Sequence, residues 1–394
     1  MKRFLCVFLI ACAIASLGFA QELKLDGYIN SGIGLRVASD DDNPALRVFG
    51  VDSEQRGGRF RLNGSYTNAD KNVGANFRLQ LQGAVATGAL GPSYVYGWVK
   101  PVEMLQIKAG IVDDSTWETG GALLKDDQGE GAGVLFRLTP IENLDIGFGV
   151  YAWSQDSSSR NNVISTPGAI QNWWEAKYTV MASYTMPDVF KFNVSGRNYN
   201  KTGGRINATE AQKVQSAQVI GELRLLMVKD LTAIIEFQLD GLWNPDRKIN
   251  KFNDDGMFNI YETIAYSMDD LKFGLNAGQY FKNHSTHKDF SLLFSPWVSY
   301  ALAEGKIVPR LDAAVFLGGH QNIDGNYDRR EYKASSNTAS YNLEETTFGI
   351  RPSVKLFLDS RNFMEIGNAF YCNKVKDVDA VLTNIFYLDF VFRF

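Results

Sequence analysis

Asn384–Phe394 reads NIFYLDFVFRF. Counting back from Phe394, every second residue is apolar and bulky: Phe394, Phe392, Phe390, Leu388 and Phe386. Between them stand Arg393, Val391, Asp389 and Tyr387. Alternation with period two marks a strand whose two faces meet different surroundings. Terminal segments of soluble domains are usually frayed and polar, because few contacts hold them. A stripe of four phenylalanines and a leucine instead needs an apolar medium along its whole length, with Asp389 and Arg393 turned toward water.

The same alternation fills the chain from Glu22 onward. In NVGANFRLQLQGAVA, Val73, Ala75, Phe77, Leu79 and Leu81 share one face, and Asn76, Arg78, Gln80 and Gln82 the other. RFRLNGSY sets Phe60, Leu62 and Tyr66 against Arg59, Arg61, Asn63 and Ser65. No segment keeps helical spacing over three turns. The pattern predicts eighteen strands, at 22–37, 57–67, 72–85, 92–100, 104–112, 130–138, 143–154, 173–186, 189–199, 215–227, 230–241, 257–267, 270–281, 288–301, 306–317, 345–358, 361–372 and 381–394. SYVYGWVK and FNIYETIAY read on either face.

Every second connection is short, as in KPVEM, TPIENLD, TMPDVF and SMDDLK. The alternate ones are mostly long and polar, as in SDDDNPALRVFGVDSEQ, DDSTWETGGALLKDDQGEG and GGHQNIDGNYDRREYKASSNTASYN. Tight turns at one end and long loops at the other predict an all-β, antiparallel up-and-down barrel that spans a membrane. Many of these strands run to ten residues or more, where soluble strands average about five or six. In hydrocarbon an unpaired backbone group costs several kcal/mol, so the sheet must close and the segment ending at Phe394 must pair with the one starting near Glu22.

Charge and cysteine content fit an exported chain. MKRFLCVFLIACAIASLGFA has a basic start, an apolar run and small residues at Gly18 and Ala20, the layout of a cleaved leader at 1–20. Its removal takes Cys6 and Cys12 and leaves Cys372, so no internal disulfide is expected. Of 40 basic residues it also takes Lys2 and Arg3, leaving 38 against 44 acids and a net charge of −6. That balance does not suit nucleic acid. The remainder, 21–394, reads as one barrel domain with no apolar run of about 18 residues for a membrane helix.

An export leader joined to a terminal phenylalanine with apolar residues at alternate positions resembles the signal by which the barrel assembly machinery recognises its clients. On that resemblance Phe390, Phe392 and Phe394 form the assembly signal, and that machinery and outer-membrane lipid are partners. The whole pattern, and SEQRGGRFRLNGSYTNADKNVGANFRLQLQG (Ser53–Gly83) most closely, resembles the bacterial outer-membrane porins. That family has sixteen strands in its usual form and eighteen in sugar- and substrate-specific members, so sixteen is the alternative count. The resemblance implies location in the outer membrane, an aqueous lumen, small hydrophilic solutes and ions as permeants, no cofactor, no catalysis, and a homotrimer as the assembly to test.

It also implies a constriction. The connection between the strands ending at 112 and starting at 130 carries Asp113, Asp114, Glu118, Asp126, Asp127 and Glu130; in porins the loop at this place enters the lumen and faces a basic wall. Inward assignments nearby are Arg59, Arg61, Arg78, Lys108 and Arg137. Opposed charge rings select permeants by charge and size. Over the whole wall sixteen basic and nine acidic side chains are assigned inward, which predicts a mild anion preference. Tyr151, Trp153, Trp173 and Trp174 would suit a sugar track, or loop packing. His284, His287 and His320 lie in long connections and are expected to be loop residues, not zinc ligands. Alternative functions are a sugar- or fatty-acid-type transporter and a surface adhesin.

Overall fold

A computed structural model of the 394-residue chain describes residues 22–39, 41–49, 59–82, 89–121, 123–124, 129–152, 176–200, 215–240, 256–283, 288–319 and 343–394. The leader, Asp126, Asp127, Trp153, Trp173, Trp174 and the three histidines fall outside these residues.

The strands are β1 (Glu22–Ala38), β2 (Asp41–Phe49), β3 (Arg59–Thr67), β4 (Val73–Gln82), β5 (Ala89–Val102), β6 (Leu105–Val112), β7 (Gly131–Ile141), β8 (Leu144–Ala152), β9 (Ala176–Met186) and β10 (Phe190–Asn200). They continue with β11 (Gln215–Leu225), β12 (Leu231–Asp240), β13 (Gly256–Met268), β14 (Leu271–Asn283), β15 (Lys288–Tyr300), β16 (Ile307–Leu317), β17 (Glu345–Phe357), β18 (Phe363–Val375) and β19 (Val381–Arg393). Neighbours pair antiparallel throughout. β19 closes on β1, from Tyr28↔Arg393 to Ala38↔Thr383.

Nineteen strands make an eighteen-position wall. β1 pairs with β2 over its loop half (Gly32↔Phe49 to Ala38↔Asp41) and with β3 over its turn half (Glu22↔Thr67 to Asn30↔Arg59). β2 and β3 therefore share one place beside β1. The sequence reading takes 39–55 as loop, and this is corrected: Asp41–Phe49 continues the wall, because backbone pairing along β1 outweighs the turn-forming Asp41, Asp42 and Pro44.

Turn chemistry sits where the short connections require it. Lys71, Asn143, Asp188, Asp230 and Asp269 have φ of +50 to +63°, a region that Asn and Asp tolerate best among residues with a Cβ.

Burial is inverted relative to a soluble domain. Leu35, Val95, Phe148, Val180, Ile235, Phe294 and Phe348 are exposed, while Asn30, Gln80, Asn193, Glu222, Asn259, Asp312 and Arg351 are buried. On β19 Phe386 is 51% exposed and its neighbour Tyr387 0%. A closed sheet with a greasy exterior and a polar interior has hydrocarbon outside. The two ambiguous segments resolve the same way: Val95 and Val99 face out with Tyr96 in, and Ile264 faces out with Tyr261 in.

Candidate functional site

The described residues of the 113–130 connection lie against the inner wall. The connection begins at Asp114, whose carboxylate caps a 3₁₀ turn, Ser115–Trp117, by accepting from the Thr116 amide (3.0 Å) and hydroxyl (2.7 Å). Lys108 on β6 donates to the same carboxylate at 2.7 Å, with both side chains under 10% exposed. Burial by itself would raise the Asp114 carboxyl. The Lys108 ammonium and the two Thr116 donors outweigh it and hold the group below its ordinary value.

Trp117 is 2% exposed and buries its ring among Val112, Leu135, Tyr151 and Met181. Gly147 on β8 makes room, since a Cβ there would stand 2.8 Å from the indole. From Trp117 the connection advances around the wall. Asn193 on β10 donates to the Glu118 carbonyl (3.2 Å). The Gly120 amide donates to Glu222 on β11, and the Gly121 amide to Glu236 on β12 (3.2 Å). Thr119 donates its hydroxyl to the Leu124 carbonyl (2.5 Å), folding the tip on itself. Leu123 and Leu124 then join a buried cluster with Ile220, Tyr261, Tyr280, Phe316, Tyr371 and Ile385, inward residues of β11 to β19.

Glu222 and Glu236 stand directly opposite each other across β11 and β12, and neither is exposed. Arg224 reaches Glu222 at 3.5 Å. Glycines let the tip sit close above them, and a side chain there would have to displace theirs. A Cβ on Gly120 would meet the Arg224 guanidinium at 1.7 Å, and one on Gly121 the Glu236 carboxylate at 1.8 Å.

Two of the predicted acidic residues meet predicted basic ones as direct pairs. Asp114 is bound by Lys108, and Asp113 meets Arg78 at 3.5 Å. Arg78 also donates to Asn63 (2.9 Å) and lies 4.6 Å from the Tyr94 ring centre. Arg61 donates to Gln80 (2.9 Å). Arg137 is bound by Asp145 on β8 (2.6 Å) and lies 6.0 Å over Trp117. Glu118 and Glu130 meet the wall through their carbonyls, the latter accepting from Lys177 (3.2 Å).

A second ionic group escapes a reading centred on the loop. Asp312 on β16 accepts from Arg310 (2.7 Å) and from Arg351 on β17 (3.0 Å). Arg310 stacks 4.2 Å over Trp297, and Tyr387 on β19 donates to Glu365 on β18 (3.2 Å). Alternation already assigns Arg310, Asp312, Arg351 and Glu365 inward; only register across four strands shows them to be one cluster. The Gly120–Gly121 pair is likewise the one sequence sign that the tip approaches something closely.

No protein-family model and no curated protein sequence matches the chain. Solved structures do. Outer membrane protein opdK from Pseudomonas aeruginosa superposes with TM-score 0.54 at 10% identity, over 95% of this chain and 99% of that one. Outer membrane protein OprD from Pseudomonas aeruginosa gives 0.52 at 12% identity, over 96% and 95%. OccAB4 from Acinetobacter baumannii gives 0.52 at 9% identity, over 95% and 98%. At these identities the likeness is one of fold, and the fold is the eighteen-strand closed antiparallel barrel of those outer-membrane proteins.

Proposed function

We propose that this chain is a passive channel for small hydrophilic solutes and ions, and that its 113–130 connection narrows the lumen. The reading rests on one observation. Residues 118–121 are fastened to inward side chains of successive wall strands, ending on Glu222 and Glu236. A barrel of eighteen strands is too wide for its wall side chains to fill, so a segment held inside takes up cross-section.

Ion preference follows from the sixteen basic against nine acidic side chains assigned inward over the whole wall. Lys108, Arg78 and Arg137 are matched by Asp114, Asp113 and Asp145, while two arginines share Asp312. The excess of inward basic groups then favours anions. Purified protein in planar bilayers tests both statements. Replacing 113–130 by a short turn is expected to raise unit conductance, and an unchanged conductance would refute the constriction. Reversal potentials in a salt gradient are expected to show mild anion selectivity; clear cation selectivity would refute the charge reading.

A further inference from the structure

Between β15 and β18 the wall carries three prolines, and the backbone ladders beside them are broken. The β15–β16 ladder skips Ser295 and Pro296 between Phe294↔Val315 and Trp297↔Asp312. Its continuous pairing stops at Ser299↔Arg310, next to Pro309. The β17–β18 ladder skips Arg351 and Pro352 between Ile350↔Phe370 and Ser353↔Gly367. Proline has no amide to give a ladder and is seldom tolerated inside a sheet. Between the two gaps β16 and β17 stay paired over eleven residues, from Ile307↔Leu356 to Leu317↔Thr346. They form a two-stranded panel, bound more firmly within itself than to either neighbour. Backbone bonds lost in hydrocarbon are costly, so gaps on both sides of one panel call for a reason.

At this height the panel is apolar on both faces. Outside, a cavity of about 520 Å³ reaches from β15 to β19, lined by Tyr300, Pro309, Leu311, Pro352, Ile366 and Phe386. Inside, each gap is backed by an alanine, Ala314 at the first and Ala369 at the second. Both belong to the buried lumen cluster that holds Tyr280, Phe316, Tyr371 and Ile385. Small side chains and missing ladder bonds are therefore all that separates an apolar cavity in the bilayer from an apolar shelf in the lumen.

One polar side chain in the cavity indicates its occupant. Asn368 lines the cavity within the β17–β18 gap, one residue from the centre of β18. Its Oδ1 is buried and, among the described residues, accepts no hydrogen bond. Acyl chains carry no donor and would leave that oxygen unsatisfied. A fitting occupant has an apolar body and one hydrogen-bond donor. The volume falls in the range of about 300–1,000 Å³ usual for small-molecule sites.

We propose that the cavity binds a small apolar molecule bearing one hydroxyl, a phenol or comparable alcohol dissolved in the bilayer, whose O–H donates to Asn368 Oδ1, and that the β17–β18 seam passes it to the apolar side of the lumen. This side route is additional to the channel for hydrophilic solutes and does not depend on the role of the 113–130 connection.

Single-channel recording from the full chain in planar bilayers tests it. The probe is 2-naphthol, and the control is 2-methoxynaphthalene, which keeps the rings and lacks the donor. A molecule that enters the lumen interrupts the current. With 2-naphthol the frequency of interruptions is expected to rise and saturate with concentration. The methyl ether is expected to give about tenfold fewer, because it leaves the acceptor unsatisfied. Asn368→Leu is expected to lower the 2-naphthol frequency by a similar factor, with heat-shifted electrophoretic mobility as the check that the barrel has folded. Ile350→Cys with Phe370→Cys ties the seam beside the gap, in a Cys372→Ala background that removes the free thiol two residues from Phe370. Directly opposite residues of antiparallel strands lie within disulfide reach. Interruptions are expected to vanish when this pair is oxidised and to return when the same protein is reduced. A wild type without interruptions overturns the proposal, as does an equal frequency with the methyl ether or in folded Asn368→Leu. Interruptions that persist in the oxidised pair overturn it too, since the probe then enters by the mouth of the pore.

Discussion

Gly27 and Phe394 exchange two backbone hydrogen bonds, each 3.0 Å long. The Phe394 ring covers the bare Cα of Gly27, where a Cβ would stand 2.6 Å from the ring and 2.5 Å from the Arg61 carbonyl oxygen. The seam between β19 and β1 is thus paired through Phe394.

Gly27→Val forces either the ring or the β3 backbone aside. Overpacking of this kind costs roughly 1–3 kcal/mol. The expected result is a lower urea midpoint for unfolding from lipid vesicles and a smaller fraction of heat-shifted, folded barrel on gels. An unaltered midpoint would mean that the seam tolerates a side chain the geometry excludes.

Neighbouring residues on one strand should respond oppositely to charge. Ile264 faces lipid and Thr263, which donates to Asn276 at 3.2 Å, faces the lumen. Arginine on the lipid face near mid-depth costs about 2–4 kcal/mol, whereas lumen positions mainly tune selectivity. Ile264→Arg is expected to destabilise the barrel by that amount in vesicles. Thr263→Arg is expected to shift ion preference toward anions with little loss of stability.

Period two made the wall legible: all eighteen expected strands overlap an observed one, and the stripe of Phe386, Phe392 and Phe394 faces out as its alternation required. β2 was not legible because Asp41, Asp42 and Pro44 carry turn chemistry, and among the described residues it pairs with β1, chosen by chain path. FNIYETIAY was ambiguous for a physical reason. Its inward face holds Tyr261 and its outward face Glu262, so polarity and direction disagree at its centre. Glu222 and Glu236 could be assigned inward, but their hydrogen bonds go to backbone amides about a hundred residues away. No local pattern encodes such a bond. Side-chain alternation fixes direction; what a side chain meets inside the lumen depends on the path of a loop.

The buried Lys108–Asp114 pair should make the start of the 113–130 connection sensitive to acid. A carboxyl group held below its ordinary value of 3.8 in the folded chain contributes stability that is present above that value and is lost as pH falls through the depressed one. Loosening is therefore expected only below about pH 4, seen as added current noise in bilayers that Asp114→Asn abolishes. Lys108→Met at neutral pH leaves the carboxylate buried without its cation, a loss on the order of 3–5 kcal/mol. The same noise is then expected without acid, and a quiet Lys108→Met channel would show that the pair does not hold the connection.

The tip offers the sharpest distinction between seating and mere packing. Gly121→Ala places a methyl where the Glu236 carboxylate lies, so either the carboxylate turns aside or the tip lifts from β12, and both break the bond from the Gly121 amide. Glu236→Ala removes the acceptor and leaves the Gly121 amide without its carboxylate, while Glu236→Gln keeps a carbonyl oxygen at the same reach. None of these changes alters the ladder between β11 and β12, which is made by backbone. Unit conductance is therefore expected to change for Gly121→Ala and Glu236→Ala and to return toward the wild-type value for Glu236→Gln, with the urea midpoint of the barrel nearly constant across all three. If conductance followed the midpoint instead, the carboxylates would be stabilising the wall and the tip would be incidental to the width of the pore.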